Sequence, residues 1–459
     1  MSANNQLTFC SGVGTVTGSN FLLETVGGSR ILVDCGMVQG ERFAAEDNAR
    51  PFVFEPSSIQ VLCVTHAHLD HVGRIPKLVK EGFKGAIYST PETRALAELV
   101  LNDAVGILAG EARESGTEPL YGPAEVASVF PLWKTIPYHQ ETAITDDVSI
   151  ILQDAGHILG SSMIHATVKG NPKPVKILFS GDLGNTPAPL LRDTEDIGEV
   201  DYLTIESTYG DRNHEPREER TKKFQDIITQ TLALGGTLVI PAFSIDRTQV
   251  LLYELNNMVE QKKIPRVPVF VDSPMAIKAT QIYAASTSLF NSAVQNQIAR
   301  GDNIFSFPHL EYTISQNQSR DIEHLKGAKI ILAGSGMSVG GRVVSHEAKY
   351  LPDAKSTILL VGYQTTGSLG RNLADGARSV TIHGQKIAVR ARIETLYGYS
   401  AHKDSDHLVE FVTTATDSLK QVFVIMGEPK AEMFLAQRIN DELGVKAQVP
   451  DVNKPYVLS

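Results

Sequence analysis

The 459-residue chain carries 42% hydrophobic and 20% charged residues, an ordinary balance for a soluble protein and long enough for two domains. No apolar run approaches the roughly 18 residues of a membrane span, and a net charge of −10 excludes a globally basic nucleic-acid binder, so a polyanion would need a local basic surface. Cys10, Cys35 and Cys63 form no CxxC pair, which argues against a disulfide framework; with the polar opening Met1-Ser2-Ala3-Asn4-Asn5-Gln6, which lacks a signal region, they point to the cytoplasm.

In chain order, Leu7 to Cys10, Asn20 to Glu24 and Arg30 to Val33 read as short strands. The glycine-bearing stretch Gly12 to Ser19 reads as a hairpin connection, and Asp34 closes the third strand. Val61-Leu62-Cys63-Val64 is a buried strand, and His66-Ala67-His68-Leu69-Asp70-His71 follows it directly. Alternate residues of that turn can point inward, so His66 and His68 can converge on one ion while Asp70 and His71 face a second. Imidazole and carboxylate suit zinc, and catalytic zinc needs few protein ligands so that water keeps a position. HxHxDH after a buried strand resembles the signature of the metallo-β-lactamase superfamily. The resemblance implies a four-layer αββα sandwich with the glycine loop beside the metals. It makes Asp34 a residue that orients metal ligands rather than binding metal itself.

Ile75, Leu78 and Val79 suggest a short helix ending near Gly82. A longer helix opens at Thr90-Pro91, with Leu96, Leu99, Val100, Ala104 and Ile107 at helical spacing. Both are covering helices without chemistry. Further on, His157 sits in the glycine-flanked turn Asp154 to Ser161. The apolar strand Lys176-Ile177-Leu178-Phe179 runs into Ser180-Gly181-Asp182. These runs are similar to the family's third and fourth motifs. The resemblance implies His66, His68, His157 and Asp182 on one zinc, and Asp70, His71 and a bridging Asp182 on the other. His139 and His165 are read as structural.

Tyr202 to Glu206 reads as a strand ending in a carboxylate, and Glu206-Ser207-Thr208-Tyr209-Gly210 resembles a motif of the β-CASP group, the nucleic-acid-processing branch of the superfamily. The chain then alternates helical stretches with β runs such as Gly236 to Pro241, Val267 to Val271 and Lys329 to Ala333, which predicts a parallel α/β sheet. The expected organisation is 1–210 for the first part of the metallo-β-lactamase core, 211–375 for an inserted β-CASP domain, and 376–459 for the completing part. Inside the insert, Pro241 to Arg247, Asp272 to Ala276, Ser335-Gly336-Met337 and Gly362-Tyr363-Gln364 also look like the family. They lie near predicted strand ends, where open α/β sheets bind ligands. Arg247 and the backbone N–H groups of Ser335 and Gly336 are candidate phosphate contacts.

Lys386 to Glu394 alternates polar and apolar residues as a half-buried strand and is read as the return to the first domain. It leads to Ser400-Ala401-His402-Lys403-Asp404, which resembles the motif that places a histidine near the scissile phosphate. In Val422 to Pro429, Met426 stands where the family carries the histidine completing its second zinc site.

The resemblance therefore implies a zinc-dependent ribonuclease cleaving single-stranded RNA by metal-activated hydroxide in a cleft between core and insert. His402, held by Glu206, is the expected acid for the leaving oxygen, and Asp70 is expected to orient the attacking hydroxide. One zinc is expected to bind tightly and the second, Zn²⁺ or Mn²⁺, weakly, because Met426 removes a donor. A small-ester, thioester or lactam hydrolase needs no insert of this size. A DNA-directed nuclease is chemically similar, though the motifs lie closer to the RNA branch. Met426 also favours a third alternative, an RNA-binding or scaffolding member with weak or no nuclease activity. The sequence is compatible with a homodimer and does not fix the oligomeric state.

Overall fold

A computed structural model describes residues 4–40, 44–170, 173–362, 364–365 and 367–459; Tyr363, from one of the insert phrases, lies outside the described residues. The chain divides into two compact units, one of Met1–Asn213 with His402–Ser459, the other His214–Ala401.

The first unit contains two seven-stranded sheets. One runs in the spatial order Pro455–Leu458, Asn5–Ser11, Asn20–Glu24, Arg30–Val33, Val61–Cys63, Ala86–Ser89, Trp133–Thr135. The other runs Ala447–Gln448, Gln421–Ile425, Tyr202–Glu206, Val175–Phe179, Ser162–Val168, Val148–Asp154, Thr142–Ala143. Asn5–Ser11 and Val148–Asp154 alternate buried and half-buried residues, the period of a strand with one face on a core. Those inward residues make the core: Leu7, Phe9, Phe21, Val33 and Cys63 of one sheet meet Ile150, Ile164, Ile177, Phe179 and Phe423 of the other. Burying each such side chain contributes about 1.5–3 kcal/mol.

Helices cover the outer faces. Pro91–Ser115 starts where Thr90 accepts from the Thr93 N–H, stops at left-handed Gly116, and buries Leu96, Val100, Leu101 and Ala104. Ser405–Thr413 and Pro429–Leu443 bring Leu408, Val412, Leu435 and Ile439 onto Leu203 and Val422 of the second sheet. The αββα layering expected from the motifs is the fold of this unit.

Three neighbouring strands of the second sheet, Val175–Phe179, Tyr202–Glu206 and Gln421–Ile425, are parallel. Their carboxyl ends therefore share one edge, and Asp182, Glu206 and Met426 all come from that edge.

The second unit has a six-stranded sheet in the order Leu310–Tyr312, Val269–Asp272, Lys329–Ala333, Thr237–Pro241, Thr357–Val361, Arg392–Leu396, every pairing parallel. Its inner strands are buried along their whole length, as a parallel sheet covered on both faces requires. Here the structure departs from the expected return to the core. Lys386 to Glu394 is not one strand: Gln385–Ala388 closes a hairpin with Ser379–Ile382, and Arg392–Leu396 adds to the edge of the six-stranded sheet beside Thr357–Val361. Alternation reports a half-buried strand without saying which sheet takes it, and the open edge of Thr357–Val361 decides the matter. The chain re-enters the first unit at His402. Among the described residues no helix is long and apolar enough to cross a membrane.

Candidate metal centre

The HxHxDH segment begins as extended backbone and becomes a single helical turn, Leu69–Val72, with His68 as its extended N-cap. Strand, extended residues and turn aim His66, His68 and His71 at one place. Gly36 permits this packing, because a Cβ there would fall 1.5 Å from the Asp70 carbonyl oxygen.

His66 Nε2 and His157 Nε2 each lie 3.2 Å from His68 Nδ1, and Asp182 Oδ2 lies 3.4 and 3.5 Å from the first two nitrogens. Metal–nitrogen bonds of about 2.0–2.1 Å at a tetrahedral angle set ligand atoms about 3.3 Å apart, so this spacing is that of four donors around one ion. Burial holds His66 and His68 well below the ordinary imidazole range, which keeps them in the neutral form that binds metal.

A second group shares Asp182: Asp70, His71 and Asp182 present donor atoms within 4.8 Å of one another. His71 Nε2 and Asp182 Oδ1 are 3.3 Å apart, and both are buried without a hydrogen-bond partner. Buried atoms of this kind, without a hydrogen-bond partner, fit a role as ligands to a cation. Burial disfavours charge on His71, yet Asp182, Asp34 and Asp70 together raise its pKa well above the usual value. Burial likewise opposes ionisation of Asp182, but His71 and His66 hold its carboxyl well below the usual range. Asp70 is pushed up to about 6, by burial first, with Asp182 adding repulsion against the pull of His71.

Asp34 sits behind this group, fully buried and left-handed at φ 58°. Its Oδ2 lies 2.7 Å from His71 Nδ1 and accepts from Thr65 Oγ1 at 2.8 Å and Ser19 Oγ at 3.1 Å, while its Oδ1 accepts from the Thr65 N–H at 2.8 Å. The contact at Nδ1 fixes the ring and turns Nε2 toward the Asp182 oxygen. Thr65 also stands 3.1 Å from His66 Nδ1. No motif marks Thr65; its place directly before His66 is its one signal in the sequence.

His402 is the third element. Its loop is fixed by an antiparallel bridge between Gly184 and His402 and by the Lys403 N–H donating to the Leu183 carbonyl at 2.9 Å. His402 Nδ1 stands 3.0 Å from both oxygens of Glu206, whose Oε1 also accepts the Leu183 N–H at 2.7 Å. Asp182 Oδ2 is 3.9 Å from the same nitrogen. Burial works against charge on His402, but Glu206, helped by Asp182 and Asp70, raises its pKa to about 9. The ring is thus kept protonated at neutral pH.

Met426 follows the strand Gln421–Ile425. It is buried, at φ 52°, within the apolar core between the sheets, and its sulfur lies 2.8 Å from where a Gly12 Cβ would stand. The candidate phosphate residues fall in the second unit. Arg247 opens the helix Arg247–Glu260 and is buried, and Ser335 and Gly336 follow the adjacent strand Lys329–Ala333.

The chain matches the family model of the metallo-β-lactamase superfamily over residues 13–227, the Beta-Casp domain over 248–373, and the Zn-dependent metallo-hydrolase RNA specificity domain over 386–450. It is 36% identical over 397 residues to a protein named Ribonuclease TTHA0252 from Thermus thermophilus, covering 86% of this chain and 88% of that one. It is 32% identical over 410 residues to Transcription termination factor FttA from Pyrococcus abyssi, covering 87% of this chain and 62% of the relative, so it spans less than two thirds of that protein. A crystal structure of a protein of unknown function from Enterococcus faecalis V583 superposes with a TM-score of 0.58 at 12% identity, covering 99% and 100% of the two chains, a likeness of fold.

Proposed function

Because the chain belongs to the metallo-β-lactamase superfamily and, within it, to the β-CASP group of metal-dependent hydrolases, we propose that it is a ribonuclease that uses zinc to hydrolyse phosphodiester bonds of single-stranded RNA. The supporting observation is the junction of three donor groups at one carboxylate: Asp182 belongs to the His66/His68/His157 group, to the Asp70/His71 group, and to the Glu206/His402 group. Ester hydrolysis needs charge stabilisation, a nucleophile and a proton donor, and this geometry offers residues for all three within one cluster.

His66, His68, His157 and Asp182 would hold one ion, and Asp70, His71 and Asp182 a second. When bound, such ions lower the pKa of water and neutralise charge on a phosphoryl oxygen. The chain's own residues supply the rest. Asp34 and Thr65 fix the rings of His71 and His66. Asp70, its carboxyl pushed up to about 6 chiefly by burial, accepts a hydrogen bond from the attacking oxygen. His402, kept charged by Glu206, donates a proton to the departing 3′-oxygen. The RNA preference draws support from the RNA specificity model over residues 386–450 and from the name of the Thermus thermophilus relative. Three free cysteines suit the cytoplasm as its location.

The test is metal content measured beside hydrolysis of labelled single-stranded RNA and of a generic phosphodiester, for the parent chain and for His157→Ala. Retained zinc with RNA cleavage in the parent, and loss of both in a folded His157→Ala protein, is the expected result. Full activity in a metal-depleted chain would overturn the mechanism. The burial of Met426 in the core keeps a second reading in play, an RNA-binding member with a weak second site. Single occupancy with RNA binding but no cleavage would select it.

A further inference from the structure

We propose that Phe243 is a stacking platform for one nucleobase of single-stranded RNA, an assignment that rests on the ribonuclease reading above. Phe243 follows the strand Thr237–Pro241, at the carboxyl edge of the six-stranded parallel sheet, and is 38% exposed. Single exposed apolar residues are common and carry no argument by themselves. What distinguishes this one is its backing. A Cβ on Gly336 would stand 2.7 and 2.9 Å from Cδ2 and Cε2 of the Phe243 ring and 2.8 Å from its backbone nitrogen. The ring therefore leans on bare main chain, at a position that admits no side chain.

That main chain is pinned from several directions. The Ala242 N–H donates to the Ala333 carbonyl at 3.0 Å, joining the two adjacent strand ends. The Phe243 carbonyl accepts from the Thr248 N–H at 3.2 Å and from its hydroxyl at 2.8 Å. Behind the turn, buried Gln364 donates through Nε2 to the Gly336 carbonyl at 3.1 Å. An aromatic with one edge on rigid backbone and part of its surface in solvent loses little conformational freedom when a second ring covers it.

The surroundings suit a base better than an apolar chain. Ser244, the next residue, pairs its hydroxyl with that of Ser273 at 3.2 Å, and Ser335 Oγ, one residue before Gly336, accepts from the Val339 N–H at 3.0 Å. Neutral hydroxyls at the carboxyl edge of a parallel sheet offer hydrogen bonds to a base edge or sugar. Stacking on an aromatic is sequence-tolerant, because every base has a π-face.

The experiment measures binding of a single-stranded RNA oligonucleotide and of abasic versions in which each base is removed in turn. The full chain carries His402→Ala throughout so that the RNA survives, alone or with Phe243→Ala or Phe243→Trp. Intact RNA should bind about 5- to 100-fold more weakly to the Phe243→Ala chain, the size of one lost stack. One abasic position should cost the same amount against Phe243 and nothing further against alanine, and tryptophan should restore binding. Equal weakening of intact and every abasic RNA, or failure of tryptophan to rescue, would overturn the platform. If the chain carrying Phe243 binds no RNA at all, the ribonuclease reading fails and the platform with it. RNA binding that is indifferent to residue 243 sinks the platform alone.

Discussion

His402 Nδ1 lies 3.0 Å from each oxygen of Glu206, a fully buried carboxylate that also takes the Leu183 N–H. The pairing commits the Nδ1 proton to Glu206. His402→Ala is expected to lower RNA turnover by about 10²–10⁴-fold with affinity largely kept. A phosphodiester with a nitrophenolate leaving group, which needs no proton, should lose much less. Equal losses on both substrates would count against an acid role.

Asp34→Asn should weaken metal retention by about 10–100-fold while the helix content stays normal. The substitution keeps the shape but weakens the acceptor that holds His71 Nδ1 at 2.7 Å. Competition with a chelator measures this directly, and unchanged retention would show that Thr65 and the strand ends suffice to fix the rings.

Met426→His addresses the group of Asp70, His71 and Asp182. A thioether is a poor partner for zinc, whereas imidazole is a good one. The variant is expected to retain more divalent metal per chain and to hydrolyse RNA faster. Met426 is, however, packed in the apolar core against Gly12. Unchanged metal content with a lowered melting temperature would mean that the new imidazole stays in that core unpaired.

Asp272, in the second unit, makes an acid-stability prediction. Burial opposes its charge, but His346 at 2.7 Å, Ser319 at 2.5 Å, Arg342 at 2.6 Å and Thr313 at 2.8 Å together bring its pKa down from 3.8 to about 2. A carboxylate depressed in the folded state contributes stability above its unfolded pKa and loses it as pH falls through the folded value. Melting temperature should therefore drop as pH goes from about 4 toward 2. Asp272→Asn should lower it at neutral pH and flatten the acid response over that interval. An unaltered acid profile in the variant would assign the acid lability to other carboxylates.

Some of this protein could be read from short segments alone. His66, His68, Asp70 and His71 lie within six residues of extended backbone and one helical turn, so local backbone geometry brings them together. Strand identities such as Asn20–Glu24, Arg30–Val33 and Tyr202–Glu206 followed from β-branched and apolar runs. Tertiary structure decided what local pattern leaves open. Alternation over Lys386 to Glu394 records burial on one face but no partner, and hydrogen bonding to Thr357–Val361 assigned its second half to the inserted unit. Thr65 gains its place only because Asp34, from a different strand, reaches it with both oxygens. Met426 shows the same division. The sequence determined that a methionine follows the strand Gln421–Ile425, whereas the packing of two sheets determined that its sulfur lies against Gly12 in the apolar core. Covalent neighbours fix which donors exist, and only long-range packing fixes which of them face one another.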